Sequence, residues 1–418
     1  MPGENMAKSK STESLIESLH AFRKKRCLVI NSDYLDDEKL PGDERTAVLK
    51  EIFNRNIREK QLSRIISHLT PILDGAHPPS ALIYGPTGSG KTVTLIHVLS
   101  TFQKVTKRHG INFQYAYVDL TSPKTYFGAL NEVAIALDNS NRRYRKGIPI
   151  EYMQANITQA FDEIDGFLCL LIDEADNIRP NPDDFLTFLG KTLPRKTKKC
   201  RLILIMLTNR LDWERTLDPR ILSFLKKVDI IFEPYDALDL FEILKLRVKK
   251  ALDKSKVAVQ ALKKVAAYAS RETGDARKAV ELLAKSVRVA EETSGRLTIK
   301  EVDIAEERLE VDKTEELIRS LATQQRLALF ACYSVSSREA KKAITGQVYI
   351  TYKTICEKEM IKPLSQRRFS DMISFLDLYG LVNARVVSKG RYGYTREITS
   401  SLPTEVVERF LKCSNPIK

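Results

Sequence analysis

From about Ile65 to Pro234, short apolar runs alternate with amphipathic stretches. The runs ALIY, FQYAYVDL, FLCLLID, RLILIMLT and VDIIFEP predict five strands, and TVTLIHVLSTF after the first has its apolar positions at helical spacing. Strands apolar on both faces, separated by helices, imply a parallel sheet covered on each side. After Pro234 the strand signal stops, and Tyr235 to about Leu309 reads as several amphipathic helices. The last hundred residues give helices in TQQRLALFACYSV, GQVYITYKTICEKE and SQRRFSDMISFLDLYG, then two strands around a Gly-rich tip in VNARVVSKGRYGYTREIT. Three helices and a hairpin make a winged helix. Residues 1–26 are polar apart from LIESLHAF and predict a partly ordered arm. The expected division is an arm at 1–40, an α/β domain at 41–234, a helical domain at 235–313 and a winged helix at 314–418.

A chain of 418 residues is too long for one ordinary core, which agrees with several domains. Its 68 Lys plus Arg against 54 Asp plus Glu leave a formal charge of +14, with acids interspersed. Polyanions are the natural partners, because neutralising phosphates releases counterions, though charge alone also fits a merely soluble basic protein. Residues 314–418 hold 17 Lys plus Arg and 10 Asp plus Glu, so a quarter of the chain carries seven of the surplus charges. Six scattered cysteines without a C-x-x-C pair, and only five histidines, imply a reduced cytosol without structural zinc. The N-terminus lacks an apolar signal stretch and no window approaches 18 uninterrupted apolar residues, so neither export nor a membrane partner is expected.

Gly85-Pro86-Thr87-Gly88-Ser89-Gly90-Lys91-Thr92 satisfies G-x-x-x-x-G-K-[ST] between a strand and a helix. Glycines let backbone N–H groups wrap phosphates while the helix N-terminus adds its dipole. ATP or GTP is the expected ligand, with Lys91 at the β and γ phosphates and Thr92 on magnesium. FLCLLIDEAD sets Asp173 and Glu174 at the carboxyl end of a strand, Asp173 for Mg2+ and Glu174 as general base toward water. Asn209 ends RLILIMLT and suits a hydrogen bond to the attacking water or γ phosphate; an Asn there is also a common turn residue.

In order and at plausible spacing, GPTGSGKT, LLIDEAD, LTNRLDW, LDPRILS, PYDALDLFEILKLR, GDARKAVELL and the terminal winged helix resemble AAA+ proteins of the initiator clade, specifically the archaeal origin-recognition and cell-division-cycle-six family. The resemblance spans about Ile57 to Ile398 and makes the fold class α/β: an AAA+ P-loop domain with a parallel sheet, a helical lid and a C-terminal winged helix. It implies sensor 1 at Asn209, an arginine finger at Arg220, sensor 2 at Arg277, and nucleotide contacts at the lid base from Tyr235 and Arg247. The family's Leu-Pro-His-Arg-Glu-like signature stands here as Asn54-Arg55-Asn56-Ile57-Arg58-Glu59, which suggests adenine contacts from Ile57 and Arg58. A helical insertion is expected in SPKTYFGALNEVAIALDNSNRRYRKGIPIEYM, where Arg142 and Arg143, with Arg145 and Lys146, either touch DNA or form a solvated basic loop.

Within SQRRFSDMISFLDLYG, Phe369, Met372, Ile373 and Leu376 recur at core spacing, leaving Gln366, Arg367, Ser370, Asp371 and Ser374 outward on a helix suited to the major groove, with Arg368 a further candidate DNA contact. The tip Lys389-Gly390-Arg391-Tyr392 is the wing, with cations for backbone or minor groove. Protein docking is the other use of a winged helix. The resemblance further implies ATP/ADP and Mg2+ as cofactors, slow regulatory hydrolysis, and nucleotide-gated clamping of double-stranded origin DNA. Other initiator protomers and the replicative helicase are the implied partners, in a cytoplasmic, nucleoid-associated protein. The rivals are an AAA+ remodelling motor of the clamp-loader or branch-migration type and an ATP-switched winged-helix regulator.

Overall fold

The computed structural model describes residues 27–36, 48, 51–53, 55, 57–122, 125–137, 147–179, 182–225, 227–338, 343–388, 394–402 and 406. The chain forms two compact units, residues 1–302 and 303–418.

The first unit is built on five parallel strands in the order β2-β3-β4-β1-β5. They are β1 (Ala81–Tyr84), β2 (Phe113–Asp119), β3 (Gly166–Asp173), β4 (Cys200–Thr208) and β5 (Val228–Ile231). Side chains alternate across a strand, so continuous apolar runs serve two cores. Leu82, Leu168, Leu170, Leu204 and Met206 enter one cluster, while Ala81, Ile83, Cys169, Leu171, Ile203 and Ile205 enter the other. The second cluster is closed by Ile65 and Leu69 of α1 (Glu59–Leu69) and by Leu95, Leu99 and Phe102 of α2 (Lys91–Arg108). The first is closed by α3 (Tyr126–Leu137) and α4 (Ile150–Asp162) through Leu130, Val133, Met153 and Phe161; the segment expected to hold a helical insertion contains α3 and the start of α4. Arg142, Arg143, Arg145 and Lys146, between α3 and α4, lie outside the described residues.

Beyond β3, α5 (Asp183–Thr187) passes through a π-helical turn, Phe188–Thr192, into α6 (Leu193–Lys196). A Cβ on Gly190 in that turn would meet the Phe224 ring at 2.6 Å, so the glycine admits α7 (Pro219–Leu225). The sequence pattern gave no sign of the π turn, whose extra residue does not alter the apolar spacing enough to read.

Three helices follow β5: α8 (Ala237–Ala251), α9 (Val259–Glu272) and α10 (Ala276–Glu292). Asp236 caps α8 by accepting from Asp239 N, and Asp275 caps α10 by accepting from Arg277 N, both at 2.7 Å. Residues 27–36 belong to this helical layer. Leu28 is buried, Val29 bridges Leu252, and the Leu28 backbone N–H donates to Glu291 Oε1 at 2.9 Å. Residues 1–26 of the expected arm lie outside the described residues. No described helix is long and apolar enough to cross a membrane.

α11 (Ile299–Ser320) carries the chain into the second unit. That unit comprises α12 (Thr323–Arg338), β6 (Ala343–Ile344), α13 (Thr345–Lys358), α14 (Gln366–Leu378), β7 (Val382–Ser388) and β8 (Tyr394–Ser400). The three helices and the hairpin match the sequence expectation. The sheet adds β6 against β8, a strand of two residues that is too short to show a period. Phe369 has no exposed surface and packs with Tyr352 and Tyr349, ring centroids 4.8 and 5.3 Å away. Phe369→Ala is therefore expected to cost this unit about 3–5 kcal/mol, through lost burial plus the cavity left behind. Denaturant unfolding followed by a probe in the second unit checks it: a transition midpoint equal to that of the native chain would mean the core is not organised around this ring.

Candidate functional site

The strands end together on one side, where Tyr84, Asp119, Asp173 and Thr208 pass into loops. The loop after β1 runs Gly85–Gly90 and enters α2 at Lys91. Gly88 has φ +70° and Gly90 φ +83°, left-handed values at which a side chain is strained. Space forbids one as well: a Cβ on Gly88 would fall on the Asp275 carboxylate, and one on Gly90 on the Tyr235 hydroxyl. Pro86 and Thr87 are exposed, and Ser89 is buried with its hydroxyl donating to Pro86 O at 2.8 Å.

Lys91 is 7% exposed. Its ammonium donates to Gly85 O at 2.7 Å, Pro86 O at 3.0 Å and Asn209 Oδ1 at 2.8 Å. Burial, seconded by the Arg277 charge, draws its pKa from 10.5 down to about 8 against the opposing carboxylates of Asp173, Glu174 and Asp176. Asn209 then passes the contact on, donating from Nδ2 to Glu174 Oε1 at 3.3 Å. Glu174 adopts φ +52°, unusual for a residue with a side chain, and its Oε2 accepts from Asn177 Nδ2 at 3.0 Å. Asp173 Oδ2 accepts the Thr92 hydroxyl at 2.6 Å and the Tyr117 hydroxyl at 3.1 Å. A carboxylate beside a hydroxyl is a hard-oxygen set that suits a divalent cation such as magnesium. Asp176, which the motif reading passed over, ties this turn to the end of β4 by accepting from Thr208 Oγ1 at 2.8 Å.

The remaining expected residues divide. Arg277 starts α10 with an exposed side chain whose charge reaches Lys91. Arg58 is 7% exposed with φ +66°, and its Nη2 donates to Ser89 O at 3.0 Å and Glu233 O at 2.6 Å. Its guanidinium carbon lies 3.8 Å from the centroid of the Tyr235 ring. Arg58 thus clamps the phosphate loop to the segment after β5, a role that its motif position did not disclose. Ile57 and Tyr235 are buried beside it in sequence and in stacking respectively. Arg247, expected near the nucleotide, donates instead to Tyr34 O at 3.3 Å, because α8 turns that position toward residues 27–36. Arg220 folds onto Asp218, Nη2 to Oδ2 2.6 Å, and its side chain is 90% exposed. Asp275 was missed as a loop contact, although an Asp before ARKAVELL is a legible helix cap.

Three families match in chain order: an AAA domain over residues 74–213, a Cdc6 AAA+ ATPase-type lid domain over 241–307, and the CDC6 C-terminal winged-helix domain over 316–409. An ORC1-type DNA replication protein of Pyrococcus abyssi is 35% identical over 344 residues, 82% of each chain. The ORC1-type DNA replication protein 1 of Methanosarcina acetivorans is 33% identical over 357 residues, 85% of this chain and 86% of that one. The chain belongs to the ORC1-type DNA replication proteins. Among solved structures, the Aeropyrum pernix ORC1 protein in complex with DNA superposes with TM-score 0.63 at 28% identity, over 93% of this chain and 97% of that one. Cdc6p from Pyrobaculum aerophilum shares the fold at TM-score 0.54 and 21% identity, over 92% and 99% of the two chains.

In the winged helix of this ORC1-type chain, Gln366, Arg367, Arg368, Asp371 and Ser374 are exposed on α14, Ser370 is half-buried, and Phe369, Met372, Ile373 and Leu376 are buried. Arg396 of β8 lies across this helix, Nη1 donating to Ser374 Oγ at 2.7 Å and to Ser370 O at 3.2 Å, a placement no local pattern foretold. Lys389, Gly390, Arg391 and Tyr392 lie outside the described residues.

The lowered pKa of Lys91 gives two opposite pH trends. The folded chain holds this proton less tightly than the unfolded one, so the Lys91 contribution to stability rises between about pH 8 and 10.5. Affinity for a polyphosphate is expected to fall as pH rises above about 8, because the bound anion needs the ammonium that the free folded chain then loses. Calorimetry of ATP binding at pH 8 in buffers of different ionisation heat should show net proton uptake; no buffer dependence would place the Lys91 pKa well above 8.

Proposed function

We propose that this ORC1-type protein is an ATP-dependent replication-origin initiator that grips origin duplex DNA as a nucleotide-gated clamp and helps recruit the replicative helicase. What carries the reading is the continuous hydrogen-bond path Lys91–Asn209–Glu174, which joins the phosphate loop to the proposed general base through one amide. Gly85 to Thr92 would hold the phosphates of ATP or ADP, and Thr92 with Asp173 would hold Mg2+, which would supply charge to neutralise the phosphates. Glu174 takes the proton of the attacking water, Asn209 reports on the γ phosphate, and Arg277 brings the lid to it. Ile57, Arg58 and Tyr235 line the nucleoside side.

Turnover on this reading is slow and regulatory. Glu174 Oε1 accepts the Asn209 amide and Oε2 the Asn177 amide, which orients the carboxylate and leaves each oxygen a further lone pair for the attacking water. Arg220, exposed and paired with Asp218 at the start of its own helix, suits a γ phosphate on a neighbouring initiator protomer. The DNA assignment is supported by the charge surplus of residues 314–418, by the exposed face of α14 and by the likeness to the DNA-bound Aeropyrum pernix ORC1 protein. Gln366, Arg367, Arg368 and Ser370 would meet the groove, Lys389, Gly390, Arg391 and Tyr392 the backbone or minor groove, and Arg142 and Arg143 an adjoining stretch of duplex. The domain division at 234 and 313 and a cytoplasmic, nucleoid-associated setting belong to the same proposal.

Glu174→Gln is expected to keep ATP bound while slowing hydrolysis, since the amide fits but cannot accept the proton; single-turnover hydrolysis at the native rate would remove Glu174 as base. On DNA, Arg367→Ala should cost roughly 1–3 kcal/mol on the preferred site and less on random duplex. Lys389→Ala with Arg391→Ala should weaken all sequences alike and flatten the salt dependence. Competition binding at several salt concentrations separates the two, and equal losses on every sequence for both variants would make α14 a backbone contact.

A further inference from the structure

β2 brings to the acidic end of β3 a side chain that no motif marks. Asp119 stands level with Asp173 on the neighbouring strand, and Tyr117, two residues earlier on the same face, extends its hydroxyl to Asp173 Oδ2 over 3.1 Å. That oxygen also takes the Thr92 hydroxyl at 2.6 Å, while Oδ1 takes the Glu174 backbone N–H at 3.0 Å. Three donors therefore fix one carboxylate. Two of them come from the segments of the proposed nucleotide site itself: the start of α2 and the turn after β3. The phenol alone comes from a strand outside both, so it holds the carboxylate whatever those segments do.

We propose that Tyr117 is a positioning residue for the divalent cation of this site, its hydroxyl setting the rotamer in which Asp173 would be presented to the cation. The proposal rests on the reading of Thr92 and Asp173 as the cation site. Outer hydrogen bonds of this kind orient ligating carboxylates, and their loss typically weakens metal binding about 10- to 100-fold. Tyr117 is also 38% exposed, so the ring is not a core element and its hydroxyl can be removed without opening a cavity.

The test is Tyr117→Phe, which deletes one oxygen and keeps the ring on β2. ATP affinity of the full chain is titrated fluorimetrically without magnesium and across a series of free Mg2+ concentrations, beside Lys91→Ala and Thr92→Ala. The expected result is a native affinity for metal-free ATP with the Mg2+ concentration for half-maximal effect raised about ten-fold or more. An unchanged Mg2+ response overturns the proposal, and so does an equal loss of affinity with and without Mg2+, which would make Tyr117 a nucleotide or packing residue. If Lys91→Ala leaves ATP binding intact the nucleotide site itself is misassigned, and if Thr92→Ala leaves the Mg2+ response intact the cation site is; neither outcome can be mistaken for failure of Tyr117 alone.

Discussion

A buried ammonium is the constraint around which the first unit is arranged. Lys91 lies under a loop that contributes two carbonyl oxygens to it, and its third acceptor is the side chain of Asn209 from the adjacent strand β4. A lysine taken out of water needs oxygens on every side. Supplying them requires β1 and β4 to be neighbours in register, Ala81 beside Ile205 and Tyr84 beside Thr208. It also requires a loop that turns its carbonyls inward, which the left-handed Gly88 and Gly90 permit. The apolar character of β1 and β4 is thus a condition of the chemistry: only strands buried on both faces deliver a cation and its acceptors to one point with this little water.

The same crowding explains how the helical layer feels the phosphate loop. Asp275, Tyr235 and Arg58 converge on three consecutive loop positions, the first two occupying the space that side chains at Gly88 and Gly90 would take and the third bonding the Ser89 carbonyl. Ala276 N donates to Gly88 O at 3.3 Å, so the start of α10 is hydrogen-bonded to the loop backbone. A shift of the loop by a few tenths of an ångström must be answered by α10 or by Tyr235, because close-packed contacts transmit displacement. Sensing of a phosphate by the lid then needs no long relay. Gly88 and Gly90, which lack side chains, are what let Asp275 and Tyr235 approach the loop this closely.

How much of this was legible in the sequence follows the distance over which each feature is set. The five strands, the phosphate loop, Asp173-Glu174 and Asn209 are each determined within about ten residues, by an apolar run and the polar residue that ends it, and each stands where its string placed it. The winged helix was legible for the same reason, down to the buried and exposed positions of α14. Arg58 could be picked out by its motif but not understood, since its acceptors, Ser89 and Glu233, come from segments far along the chain. Arg247 shows the converse: its place in a lid helix was readable, but which neighbour that helix face meets depends on residues 27–36, whose own string carries no strong period.

Strand β2 is where the local reading was thinnest and where its consequences are largest. It is an edge strand bearing no motif, and its exposed positions, including Tyr117 and Asp119, look like the solvent side of any half-covered strand. Yet Leu120 N donates to Asp173 O at 3.1 Å and Leu120 O accepts from Asn177 Nδ2 at 3.3 Å, while Tyr117 reaches the Asp173 carboxylate. The exit of β2 therefore touches the acidic turn through backbone, amide and phenol at once, and α3 is the next helix along the chain. A ligand that displaced the insertion would pull on the strand holding Asp173 and on the amide holding Glu174. Asp173 and Glu174 are thus anchored, through Tyr117, Leu120 and Asn177, to the strand at the edge of the sheet, which ties the acidic turn to the segment that precedes α3.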